Sequence, residues 1–193
     1  MTDSRTARGG KRERLVAGAA ELLHRQGVAA TTLADVAHAA DVPVGNIYYY
    51  FKTKDDLVRA VIEAQVGQVD AMLGALAELS GPAERLTALV RRWEQMRDLV
   101  ARYGCPFGTL TAELDRRDDG LDIEAARPIR RILEWMEIQL QNLGHRDARE
   151  LATALFAGVQ GGALLTSALR DPELMSGQVR HLERWIDTLA APP

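Results

Sequence analysis

The chain of 193 residues holds a single cysteine, Cys105, so it cannot form an internal disulfide, a usage that fits a reducing cytoplasm. Aromatic residues make up only 5 %, and no stretch shows the apolar–polar alternation of a half-buried strand. No uninterrupted apolar run is long enough to cross a bilayer, so no membrane partner is expected. The opening MTDSRTARGGKRER is polar and basic and lacks the apolar centre of a secretory signal. His24, His38, His145 and His181 are scattered, without metal-ligand spacing to carboxylates or to Cys105. A Gly-rich phosphate loop, a nucleophile elbow and paired catalytic carboxylates are all missing. Neither a metal, a cofactor nor an enzymatic activity is therefore expected. Internal repeats, low-complexity segments and a Pro/Gly-rich linker are also lacking.

What is present is helix-forming. Hydrophobic residues reach 47 %, and Ala, Leu, Arg and Glu dominate, which points to an all-α chain of about nine helices. The formal net charge is −3, but it is unevenly spread. Residues 1–54 carry eight Lys/Arg against five Asp/Glu, leaving a basic head on an acidic body. Such a split suits a protein whose head alone meets a polyanion. Residues 1–9 read as a disordered arm ahead of the first helix, with Arg5 and Arg8 either lying along phosphates or a minor groove or forming a solvated tail.

The stretch Thr31–Lys54 organises the head. Thr32 is an N-cap residue, and Leu33, Val36, Ala37 and Ala40 follow at helical spacing. Asp41-Val42-Pro43 breaks the pattern, and Pro43 opens a second helix carrying Gly45 to Phe51. Two short helices joined by a tight turn form a helix-turn-helix, whose second helix enters the DNA major groove. Ile47 and Phe51, four apart, take the core face, so Tyr48, Tyr49 and Tyr50 cannot all be buried. Tyr49 is the foremost candidate for a phosphate or base contact, followed by Tyr48 and Tyr50. Gly45 allows close backbone approach, Asn46 can pair with adenine, and Thr32 can contact phosphate while capping. Before this stretch a helix over roughly 11–26 ends at Gly27.

A long helix begins near Asp55 and runs to Ser80, so the domains are expected to be 1–54 for DNA and 55–193 for ligand binding and dimerisation. Helices over 82–103, 109–115, 122–142, 147–169 and 173–190 follow, with Pro128 kinking or dividing the fourth helix of the body. Trp93, Met96, Cys105, Phe107, Trp135, Met136, Phe156 and Gln160 are candidate pocket residues. Gly158, Gly161 and Gly162 each cost roughly 1 kcal/mol in mid-helix, so close approach of another helix is expected there. The last two helices are apolar on more than one face and are expected to pair with those of a second copy. Leu155, Gly158, Gly162, Leu165, Leu182 and Trp185 are the candidate interface residues.

The residues TTLADVA at 31–37, DVPVGNIYYYF at 41–51 and KDDL at 54–57 resemble the DNA-binding signature of TetR-type transcriptional regulators, and residues 14–27 resemble the first helix of that family. The resemblance covers about 45 residues. It implies an all-helical homodimer, usually a repressor released from a palindromic double-stranded operator by a small-molecule effector. It also implies a phosphate clamp at Lys54. Two positions depart from the common pattern: Tyr50 stands where many members have histidine, and Pro43-Val44 where Ser-Lys is frequent. Val44 thereby lacks a polar contact that would inform operator sequence. The stretch Gly104 to Leu110, with Glu113 following, resembles a subgroup with a Gly-Cys element, some of whose members respond to electrophiles or oxidants. A thiol-sensing regulator using Cys105 is therefore one alternative, with a buried core thiol as the plain reading of that residue. A helical small-molecule-binding protein or enzyme without DNA function is the other.

Overall fold

The computed structural model describes the backbone of residues 3–191 and the side chains of residues 10–191. Among them the chain forms eleven helices and no strand: α1 (Asp3–Ala30), α2 (Leu33–Ala39), α3 (Val44–Tyr50), α4 (Lys54–Ala77), α5 (Pro82–Gln95), α6 (Arg97–Tyr103), α7 (Pro106–Leu114), α8 (Leu121–Ala125), α9 (Arg127–Asn142), α10 (Ala148–Leu169) and α11 (Pro172–Ala190). The all-α class is as expected, and two of the anticipated nine helices are divided. The span 82–103 breaks at Met96 (φ −106°, ψ 15°), where no Gly or Pro marks the sequence. The span 122–142 breaks at Ala126, because Pro128 lacks an N–H and is accommodated only in the first turn of α9. The arm expected to lie outside the first helix is helical from Asp3 onward, as the start of α1; its side chains, Arg5 and Arg8 among them, lie outside the described residues.

Local chemistry sets the helix ends. Gly27 interrupts α1 at φ +82°, a left-handed conformation that glycine adopts without penalty. Thr32 caps α2 in a reciprocal capping box: its hydroxyl accepts from Asp35 N–H at 3.1 Å, and its own N–H donates to the Asp35 carboxylate at 2.9 Å. At the other end of α2, Val42 N–H reaches Ala37 O and Asp41 N–H reaches His38 O, with Asp41 left-handed at φ 50°. That is a Schellman closure, and it makes the tight turn between α2 and α3. Pro43 lies one residue before α3 as its N-cap. A second reciprocal box opens α4, where Thr53 and Asp56 exchange bonds at 3.0 Å.

The chain divides into two compact units. Residues up to Val66, with Thr109–Ala126, make the first; Gly67–Gly108 and the residues from Arg127 onward make the second. The first core gathers Leu15, Ala19, Val36, Ile47, Phe51, Val58, Val61 and Ile62 with Leu110, Leu114, Leu121 and Ala125. The head expected to end at residue 54 therefore also holds the first half of α4, most of α7 and all of α8. In the second unit α10 packs on α9, α11 and α6, and α11 packs on α5. Its core includes Leu86, Leu89, Trp93, Met136, Leu140, Leu155, Phe156, Met175, Leu182 and Ile186.

Candidate functional site

Ile47 on α3 and Phe51 at its C-cap are buried at 0 % and 2 % exposure, which anchors the helix on its inner side. Tyr48 and Tyr49 stand out at 50 % and 63 % exposure. Tyr50 packs against the head core, with its ring edge-on to Tyr49 at 5.2 Å between centroids. The three tyrosines thus separate into two outward and one inward-leaning, as the 100° step between helical neighbours requires. Gly45 has open space where a Cβ would sit, and Asn46 beside it is half-buried. Val44 packs against the core rather than facing outward, so its lack of a polar group is a packing feature.

Basic groups border this surface. Lys52 Nζ donates to Tyr48 O at 2.8 Å, across the last turn of α3. The Arg12 guanidinium sits 5.4 Å above the Phe51 ring, a cation–π contact that ties α1 to the end of α3. In the sequence Arg12 and Lys52 are no more than two of the eight basic residues of the head; their placement depends on tertiary contacts. Thr32 is exposed, but its hydroxyl is already engaged with Asp35. The same hydroxyl, followed by the Thr32 N–H, holds the Asp35 carboxyl below the ordinary carboxylate range.

Lys54 is placed differently from the expected phosphate clamp. Its ammonium donates to the main-chain oxygens of Val28 at 2.8 Å, Thr31 at 3.1 Å and Ala29 at 3.5 Å. Three N–H groups meet three carbonyls at the α1–α2 junction, so the charge is directed into the head. The amides of the same junction are taken from the other side: Val28 N–H and Ala29 N–H each donate to Glu113 at 2.8 Å. In the sequence Glu113 stands out only as part of a resemblance. The contact spans 85 residues and has no local signal.

In the second unit the candidate pocket residues share one cluster. Trp93, Cys105, Met136 and Phe156 are buried in its core, and Met96, Phe107 and Trp135 pack against them half-buried. Trp93 and Phe156 meet edge to face at 5.8 Å. Gln160 donates to Cys105 Sγ at 3.5 Å, and its carbonyl oxygen lies where a Cβ on Gly108 would fall, 2.8 Å away. Trp93 Nε1 is buried without an acceptor among the described residues. Cys105 is 4 % exposed, which agrees with the buried-thiol reading of this residue.

The interface expectation needs correction. Leu155 and Leu182 are 0 % and 1 % exposed and belong to the chain's own core. Gly158 and Gly162 face α11 of the same chain: a Cβ on Gly158 would meet Leu182 at 3.0 Å, and one on Gly162 would meet Gln178 Cγ at 2.8 Å. These glycines serve close packing of α10 on α11 within one chain. Trp185 is half-buried on that core, and only Leu165 of the expected set is well exposed, at 55 %. The opposite face of α10 carries exposed Ala154, Ala157, Gly161, Leu164, Leu165 and Ala168. By contrast the exposed positions of α11 include Arg180, His181, Arg184 and Asp187, so its outer face is polar. Two apolar faces on one helix explain why α10 has the length and composition to cross a membrane, at a mean hydropathy of 1.4 with 39 % of that window buried. No group of three or more His, Cys, Asp or Glu is placed to hold a metal among the described residues.

The capped α2, the tight turn at Asp41, the outward Tyr48 and Tyr49 of α3 and the neighbouring Arg12 and Lys52 define a helix-turn-helix unit. Comparison with known proteins agrees. Residues 15–61 match the family model of bacterial regulatory proteins of the tetR family, and residues 82–182 match the tetracyclin repressor-like C-terminal domain. The chain belongs to the TetR family of HTH-type transcriptional regulators. Members of this family bind DNA operators, typically as homodimers with small-molecule effectors. An uncharacterised HTH-type transcriptional regulator of Mycobacterium tuberculosis is 29 % identical over 185 residues, covering 90 % of this chain and 94 % of that one. The HTH-type transcriptional regulator TtgR of Pseudomonas putida is 27 % identical, covering 92 % and 88 %. A TetR transcriptional regulator from Chloroflexus aurantiacus has the same fold, with a TM-score of 0.81 at 24 % identity over 93 % of this chain and 96 % of that chain.

Proposed function

We propose that this protein is a cytoplasmic homodimeric repressor without catalytic activity, released from a palindromic operator by a small apolar effector. The observation that carries the DNA reading is the division of α3: Ile47 and Phe51 are buried while Gly45, Tyr48 and Tyr49 face solvent beside Arg12 and Lys52. Tyr48 and Tyr49 supply hydroxyls for phosphate, and Gly45 with Asn46 supplies the approach to base edges. Two such heads, with centres about 34–36 Å apart, read successive major grooves.

Dimerisation is assigned to the exposed stripe Ala154, Ala157, Gly161, Leu164, Leu165 and Ala168 of α10. Small residues in it let a second α10 approach closely, and the leucines supply apolar area. The effector is assigned to the cluster around Trp93, Phe156 and Gln160. The buried, unpartnered Trp93 Nε1 favours a largely apolar molecule with one hydrogen-bond acceptor. Effector binding biases a two-state equilibrium, and the continuous helix α4, Lys54–Ala77, carries the shift to the head.

The test is selection of a duplex from a randomised pool, followed by hydroxyl-radical footprinting. Two symmetric protected windows about one helical turn apart are expected. A single window or no enrichment contradicts the reading.

A further inference from the structure

Gly27 breaks α1, so the N–H groups of Val28 and Ala29 begin a new turn with no partner behind them. Glu113 supplies it from α7. Its two carboxylate oxygens accept from Val28 and Ala29 at 2.8 Å each, a charge-assisted cap across 85 residues of sequence. Gly27 is set by its left-handed backbone at φ +82°, and the carboxylate lies so close that a Cβ there would fall 2.9 Å from Glu113 Oε2 and displace it. Glu113 is itself firmly seated. Leu110 and Leu114 on its helix are buried in the head core with Leu121 and Ala125 of α8. Arg117 then grips Asp55 through both terminal guanidinium nitrogens, at 3.0 and 2.7 Å, and Arg59 pairs with Glu124 at 3.0 Å. The 109–126 segment is thus built onto the start of α4, and its Glu113 carboxylate reaches the junction from which α2 and α3 depart.

We propose that Glu113 is a positioning residue for DNA recognition: its carboxylate, gripping the Val28 and Ala29 amides opposite Lys54, sets the angle at which α1 hands over to the helix-turn-helix. This rests on the DNA-binding reading above. Glu113 touches no DNA in this assignment, and its effect is on how α3 is aimed. It therefore governs sequence-specific binding, which depends on geometry, and leaves the charge-driven non-specific binding alone.

The experiment compares wild type, Glu113→Gln and Glu113→Asp. It measures affinity for the duplex that wild type selects and for a scrambled duplex, thermal unfolding, and hydrogen exchange at Val28 and Ala29. Glu113→Gln keeps the shape, but only one of its two terminal atoms can accept. Roughly ten-fold weaker binding to the selected duplex is expected, with scrambled-duplex affinity within about two-fold and faster exchange at the two amides. Glu113→Asp keeps the charge but withdraws the oxygens by one methylene and is expected to behave similarly. It is read by the same criteria if the glutamine variant does not fold. Unchanged specific affinity despite faster exchange overturns the proposal, as do unchanged exchange or equal losses on both duplexes. If wild type selects no duplex, the DNA-binding reading itself fails and this inference with it.

Discussion

The Lys54 ammonium donates to the main-chain oxygen of Val28 at 2.8 Å, closing the α1–α2 junction from the first residue of α4. Thr31 O at 3.1 Å completes the cage, and Thr31 is itself buried with its hydroxyl donating to Gly27 O at 2.7 Å. Lys54→Met removes the donor and leaves these carbonyls unmet. A loss of about 1–2 kcal/mol in unfolding free energy is expected by chemical denaturation. A lysine bound to phosphate would lower the salt slope of duplex binding by about 0.9 when removed. The present placement predicts an unchanged slope, with weaker affinity arising from the disturbed junction.

The outward tyrosines should separate binding from stability. Tyr49→Ala acts at a 63 % exposed site, so unfolding is expected to shift by no more than about 0.5 kcal/mol. Duplex affinity should fall roughly ten-fold, on the scale of one lost contact of 1–3 kcal/mol. Ile47→Ala, at a fully buried site, should cost about 2–5 kcal/mol in unfolding. Similar stability losses in both variants would contradict the orientation assigned to α3.

The two faces of α10 give a matched pair of substitutions. Gly162→Ala places a Cβ 2.8 Å from Gln178 Cγ and 3.1 Å from its Cβ, near the stiff root of that side chain. A destabilisation of about 1–3 kcal/mol is expected from overpacking. Leu165→Arg, on the exposed face, should leave the chain folded and convert a dimer to monomer in sedimentation analysis. A dimer that survives Leu165→Arg but not a change at α11 would move the interface to the polar helix.

Acid sensitivity should trace to the two capping boxes. The Thr53 N–H and then its hydroxyl hold the Asp56 carboxyl below its ordinary range, as Thr32 does for Asp35. Arg117 lowers Asp119 in the same way, and its own guanidinium is pushed up by Asp55 and Asp119. A carboxyl whose folded pKa is depressed contributes stability above its unfolded value, and that contribution is lost as pH falls through the folded value. The melting temperature should therefore hold steady down to about pH 5 and decline below about pH 4. The Asp35→Asn/Asp56→Asn variant should be less stable at neutral pH and show a shallower acid decline. Parallel curves for the two proteins would contradict the assignment.

The burial of Cys105 has its own consequence. At 4 % exposure beside Gln160, the thiol should label slowly with a water-soluble thiol reagent in the native protein and rapidly in denaturant. Equal rates in both conditions would restore the sensing reading of this residue.

Helix ends with local chemistry were legible in the sequence. Thr32 is legible as the N-cap of α2 and Gly27 as the end of the first helix, whereas the reciprocal bond from Asp35 and the capping of α11 by Asp171 emerge only in the structure. The inward role of Ile47 and Phe51 followed from their spacing alone. The break at Met96 was not legible, because neither residue type nor charge marks it. Nor was the membership of residues 109–126 in the head, which depends on Arg117 meeting Asp55 and Glu113 meeting Val28. On α10 the glycines were readable as a sign of close packing, but not their partner. Gly158 and Gly162 lie four apart toward α11, Gly161 lies on the other side, and periodicity gives no sign of which face meets the same chain.

The central claim, that α3 reads duplex DNA, is tested most directly by titrating the selected and scrambled duplexes at two salt concentrations. Tight binding to the selected duplex that weakens steeply as salt rises is expected, with a preference over the scrambled duplex that Asn46→Ala reduces. Binding that ignores salt, or that treats the two duplexes alike, would contradict it.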